Sequence, residues 1–118
     1  MPKGACGIIN GELAATTSRP NNVCSEARTP GHKFVEPLPT GDKAKITAAI
    51  IAEGGEITVN DSDYLAAEFT SKVFKFVDDV EIRLDGDKAH IRSASRTGYS
   101  DRGVNRKRVE ALREHLTD

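Results

Sequence analysis

The sequence predicts an α+β fold: about four mainly antiparallel strands in one sheet, two flanking helices and an extended N-terminal coil, all in a single domain over residues 1–118. Three observations carry this. Helix formers run from Thr40 to a Gly54-Gly55 stop, apolar and polar residues alternate on both sides of Asp85-Gly86, and the last fifteen residues carry an amphipathic stripe. The order helix, strands, helix favours two layers with both helices on one face of the sheet.

Residues 1–40 form the coil arm and residues 41–118 the helix-sheet-helix core. The arm is rich in Gly, Pro, Asn, Ser and Thr without a sustained apolar period, and RPNN and RTPG are turn signals. Phe34, Val35 and Leu38 are its candidate anchors to the core. The first helix has Thr40 or Asp42 as N-cap, Ile46, Ala49 and Ile50 on one face, and Gly54 as its end. EITVN around Ile57 and Val59 suggests a strand closed by the turn-prone Asp61–Asp63, and Tyr64–Ser71 suggests a second, although Ala66, Ala67 and Glu68 also suit a helix.

Phe74, Phe76, Asp78, Val80, Ile82 and Leu84 then share one parity, with Lys75, Glu81 and Arg83 on the other. That is the pattern of a half-buried strand. Ser71 to Leu84 is long for one strand, so a bulge or turn is expected near Phe76–Asp78. Asp85-Gly86 opens a hairpin and AHIRSASR returns beside it. Asp78 falls on the core parity and needs a partner there, an arginine between Arg92 and Arg106 or, if a bulge intervenes, solvent.

The stretch from Arg92 to Arg113 concentrates the polar chemistry. Between Arg92 and Arg108 five arginines and one lysine face a single acid, Asp101, in a chain whose net charge is −1 and whose pI is about 6.3. Basic character is therefore local, which argues against a general polyanion binder. Ser100 or Asp101 can cap the last helix, Val109, Leu112 and Leu116 supply its apolar stripe, and Asn105 stands at the head of that stripe. The helix N-terminus, with Arg96, Arg102 and Arg106 around it, suits a carboxylate, sulfate or phosphate. The alternative is an ion-pair network with Asp78, Asp79 and other acids that only holds the turn together.

The candidate binding residues are therefore Ser93, Ser95, Arg96, Asp101, Asn105 and Arg106, with Asp78 and Asp79 as supporting carboxylates. The expectation is a non-enzymatic binding or accessory domain for a small anion or an acidic group of a partner protein. Second is an enzyme pairing Asp78 or Asp79 with Arg96 as acid/base and anion holder. Third is nucleic-acid binding, disfavoured because no aromatics interleave the basic helix. No GxSxG or SxxK pattern supports nucleophilic serine chemistry.

Cys6 and Cys24 allow one disulfide at most, and with His32, His90 and His115 scattered no metal site or cofactor is expected. No apolar run reaches the roughly 18–20 residues of a membrane span, and the first residues lack an apolar signal core. A soluble chain is expected, either cytoplasmic or an exported domain without its signal, with its oligomeric state open.

FVDDVEI, IRSASRTGYSD and GVNRKRVEALR, in that order, resemble the signature of the domain-of-unknown-function family 1499, small bacterial and plastid-associated proteins. Upstream, GELAATTSRPNNVCSEA followed by VEPLP resembles a family pattern more weakly, so the resemblance spans Gly11 to Leu116. The chain departs from that pattern at Thr16 and Asn22, where the family often has cysteines, and its Cys24 is displaced by two positions, so no thiol role carries over. The resemblance implies relatives that often look secreted, lipid-anchored or membrane-attached, and it implies no activity.

Overall fold

A computed structural model describes residues 4–72, 75–97 and 103–117 of the chain. Its elements are strand β1 (Asn22–Cys24), a short 3-10 turn (Gly31–Lys33), helix α1 (Lys43–Ala52), strands β2 (Glu56–Asn60), β3 (Tyr64–Thr70), β4 (Val77–Asp85) and β5 (Lys88–Ser95), and helix α2 (Val104–Leu116). The five strands form one sheet in the order β1-β5-β4-β3-β2, antiparallel throughout. β2 to β5 are a meander of successive neighbours. The fifth strand comes from the arm, where sequence reasoning placed only coil.

α1 begins at the expected cap: Asp42 Oδ1 accepts the amides of Ala44 and Lys45, satisfying two of the helix's open donors. It ends at Gly54, whose φ of +93° favours glycine, and the Gly55 amide turns back to the Ile50 carbonyl. Gly55 is also sterically required, because a Cβ there would lie 2.6 Å from the Phe69 ring and 2.7 Å from Ile50.

In β2 the register shifts between Ile57, opposite Ala67, and Val59, opposite Ala66. This bulge sends two residues of like parity to opposite faces: Ile57 packs on the helix side and Val59 on the other. The break expected near Phe76–Asp78 falls earlier, in a loop before Val77 in which the Ser71 amide donates to the Phe76 carbonyl and Lys75 adopts φ +58°, so Phe76 is exposed rather than on the core face. β4 and β5 then pair from Asp78↔Ser95 to Asp85↔Lys88 around the Asp85-Gly86 turn.

Both helices cover one face. Ile46, Ala49 and Ile50 of α1 and Val109 and Leu112 of α2 meet Leu65, Ala67, Phe69, Val80, Ile82, Ala89 and Ile91 of the sheet, together with Val23, Val35 and Leu38 of the arm. Each large aliphatic side chain buried here contributes about 1.5–3 kcal/mol. Of the proposed anchors Val35 and Leu38 thus enter the core and Phe34 does not, and Leu38 exchanges backbone hydrogen bonds with Ala89.

The other face departs from the half-buried expectation. Glu81, Arg92 and His90 lie on the polar parity of β4 and β5, yet they are buried, because the arm crosses over them. Leu13 and Ala5 pack on Cys24, Tyr64 and Ala66. The amides of Cys6 and Gly7 each donate to Glu81 Oε1 at 3.0 Å, and Tyr64 Oη donates to the same oxygen at 2.5 Å. Glu26 accepts the Leu13 amide and holds Arg83 through two 2.8 Å bonds. The sheet is therefore sandwiched between an apolar layer and an ionic one.

Candidate functional site

The residues singled out by sequence occupy three places. The first is a polar plug in the helix-side core. Ser93 Oγ donates to Asn105 Oδ1 at 2.6 Å, and Asn105 Nδ2 donates to Ser95 Oγ at 2.9 Å and to the Asn21 carbonyl at 3.0 Å. Arg108 donates to Asn105 Oδ1, pairs with Asp78 at 2.8 Å and lies over the Phe69 ring at 4.7 Å. Asp78 thus faces inward and meets an arginine, but from one helical turn beyond the position of Asn105 rather than from the Arg92–Arg106 stretch. The adjoining donors and acceptors of the plug satisfy one another, as buried polar groups must.

The second place is on the opposite face. Asp79 grips Arg96 with bonds of 2.7 and 2.8 Å, and Glu68 adds a third at 2.8 Å. The hydrogen bonds with Asp79, then those with Glu68, raise the Arg96 guanidinium above its ordinary value against the opposing effect of desolvation. Gly4 sits directly on this pair: a Cβ there would fall 2.1 Å from Asp79 Oδ2. Adjacent in sequence, Asp78 and Asp79 are separated by the sheet.

The third is the head of α2. Gly103 stands at the N-cap position with φ +77°, so the helix starts later than a Ser100 or Asp101 cap would place it. Asp101, with residues 98–102 generally, lies outside the described residues. Arg106 reaches across to the 3-10 turn, donating to the carbonyls of His32 at 2.9 Å and Phe34 at 3.0 Å.

Beside Arg106 opens a cleft of about 290 Å³. Ser18 and Pro20 of the arm, Asn22 and Val23 of β1, His32 and Lys33 of the 3-10 turn, and Gly103 and Arg106 line it. Sequence reasoning found the Arg106 side of this cleft and missed the rest. Lys33 is the most telling omission: it is only 7% exposed, and its ammonium donates to the carbonyls of Thr17 and Arg19. Nothing in the local pattern GHKF marks that lysine as buried, since its partners arrive from the preceding turn.

Other ionisable groups, the buried Tyr64 and the exposed Cys6 among them, are not poised for chemistry. Burial, followed by the Glu81 hydrogen bond and charge, pushes the Tyr64 hydroxyl far above its usual value. The Cys6 thiol is also raised, by burial and then Glu81, with Arg92 opposing. Neither is an activated nucleophile. Ser25 Oγ lies 2.9 Å from His90 Nδ1, and His90 Nε2 lies 3.6 Å from Asp85. That relay resembles a hydrolytic constellation in order only: Ser25 is 1% exposed and its oxygen already accepts the Ile91 amide.

The family model described as "Protein of unknown function (DUF1499)" matches residues 12–116. The chain belongs to this family. The DUF1499 match takes in β1, both helices, the whole meander and every residue lining the cleft, whereas the amides of Cys6 and Gly7 that bind Glu81 fall before it. No curated protein and no solved structure matches this DUF1499 chain. Among its described residues no helix is long and apolar enough to cross a membrane.

Proposed function

We propose that this domain is a binding module rather than an enzyme, and that the cleft beside Arg106 receives a small anion or an acidic group of a partner. The observation that carries this reading is the state of its two cations. Elsewhere the well-buried guanidiniums stand against carboxylates: Arg83 on Glu26, Arg92 on Glu81, Arg96 on Asp79 and Glu68, Arg108 on Asp78. Lys33 and Arg106 instead rest on neutral carbonyls, and among the described residues no carboxylate pairs with either. Carbonyls satisfy donors without cancelling charge. Lys33, buried in that condition, stands at a cost of several kcal/mol, which an incoming anion offsets, while Arg106 is exposed and adds positive charge beside it. The head of α2, with its positive dipole end, adds about 0.3–1 kcal/mol in the same direction.

A thermal-shift comparison at low salt tests the reading, using inorganic phosphate, sulfate and acetate. At 100 times its dissociation constant a bound anion adds about 2.7 kcal/mol, a rise on the order of 10 °C for a domain of this size. Ser18→Glu provides the control, because Ser18 is exposed at the cleft rim and its side chain makes no hydrogen bond among the described residues. The variant, its own carboxylate taking the place of the ligand, should melt at or above the parent without ligand and lose the rise. If no anion raises the melting temperature, or the variant responds like the parent, the cleft is not an anion site.

A further inference from the structure

Resting on that reading, we infer that the ligand of the cleft is an organic carboxylate with a short aliphatic body, rather than a phosphate, a sulfate or a nucleotide. Donor supply is the first reason. An ammonium has three N–H groups, and two on Lys33 are already given to Thr17 and Arg19. Arg106 gives one N–H from each terminal nitrogen to Phe34 and His32, which among the described residues leaves its Nε–H and one further N–H on each terminal nitrogen. That remainder suits the two coplanar oxygens of a carboxylate, one on the ammonium and one on the guanidinium edge.

The apolar part of the lining is the second reason. Pro20 and Val23 face the same space as the cations, and the extra oxygens of a tetrahedral anion would lose water there without gaining donors. A methylene chain gains by the same contact. Third, among the described residues no Phe, Tyr or Trp lines the cleft, so a nucleobase would find only the small His32 imidazole and the Arg106 guanidinium to lie against. Its volume of about 290 Å³ is at the lower end of the roughly 300–1,000 Å³ typical of small-molecule sites, which fits a short chain better than a nucleotide. The same carboxylate chemistry is carried by a free aliphatic acid and by the C-terminal end of a peptide.

Titration calorimetry of the full chain with acetate, butanoate and hexanoate, beside phosphate and butanamide, tests this. Affinity is expected to rise roughly fourfold per added methylene until the cleft is filled, with butanamide and phosphate far weaker and Ser18→Glu abolishing the response. N-acetyl-alanyl-valine separates the two sources: tighter binding than hexanoate upholds the inference for a peptide end, and weaker binding upholds it for a free acid. Phosphate binding without carboxylate binding would overturn the inference and leave the anion site standing. A series flat with chain length, or butanamide equal to butanoate, would also overturn it. Silence from every ligand removes the site itself.

Discussion

Glu26 shows how a single buried charge makes the domain sensitive to acid. Burial alone would raise its carboxyl, but the Arg83 hydrogen bonds, the Leu13 amide and the charges of His90 and Arg83 outweigh it and leave the group below its usual value. A carboxylate lowered on folding stabilises the protein fully above its unfolded value, about 4.3, and that contribution disappears as pH falls through the folded one. Urea unfolding between pH 7 and pH 3 should therefore show the parent losing stability more steeply on acidification than Glu26→Gln. Parallel curves would remove Glu26 from the account. At this scale the sequence was partly legible. Parity turned Ser93, Ser95 and Asp78 toward the helices, and helical spacing turned Asn105 toward them, as the plug shows. Lys33 was not legible, because its partners Thr17 and Arg19 lie sixteen and fourteen residues away with no pattern linking them.

Among the elements, α1 is the one whose ends were written most plainly, since capping chemistry is local. Asp42→Ala should lower stability by about 1 kcal/mol, read as a lower thermal midpoint by circular dichroism. An unchanged midpoint would mean that tertiary packing, not the cap, fixes where the helix begins. The meander was legible for the same local reason, with a two-residue alternation and an Asp-Gly turn. β1 was hidden, because three residues of NVC offer no period and its pairing with β5 spans most of the chain. The ionic layer was hidden differently: Glu81 reads as part of a solvent face, and only the arm's amides, Tyr64 and the Arg92 pair reveal why it is buried. Buried charges that come with partners look, in sequence, like exposed ones.

Across the whole molecule, the sheet divides labour. Its helix side supplies apolar burial, and its arm side holds Glu26, Glu81 and Arg92 in a lattice whose removal piece by piece leaves uncompensated charge. The cleft lies at the β1 edge, where arm, 3-10 turn and α2 converge, so the same arm that seals the ionic layer also forms one wall of the proposed site.

The strand order has a consequence in time. β2 to β5 are hairpin neighbours that close over short loops, whereas Val23 meets Ser93 only after more than half of the chain has been brought together. The meander is therefore expected to form early and the arm to be laid down last. Chevron analysis should place Val80→Ala on the refolding limb and Val23→Ala on the unfolding limb; the reverse partition would put the arm in the nucleus. With the arm arriving late, Glu81 and Arg92 keep their hydration through the rate-limiting step, and water leaves them only when the amides that replace it are already in hand.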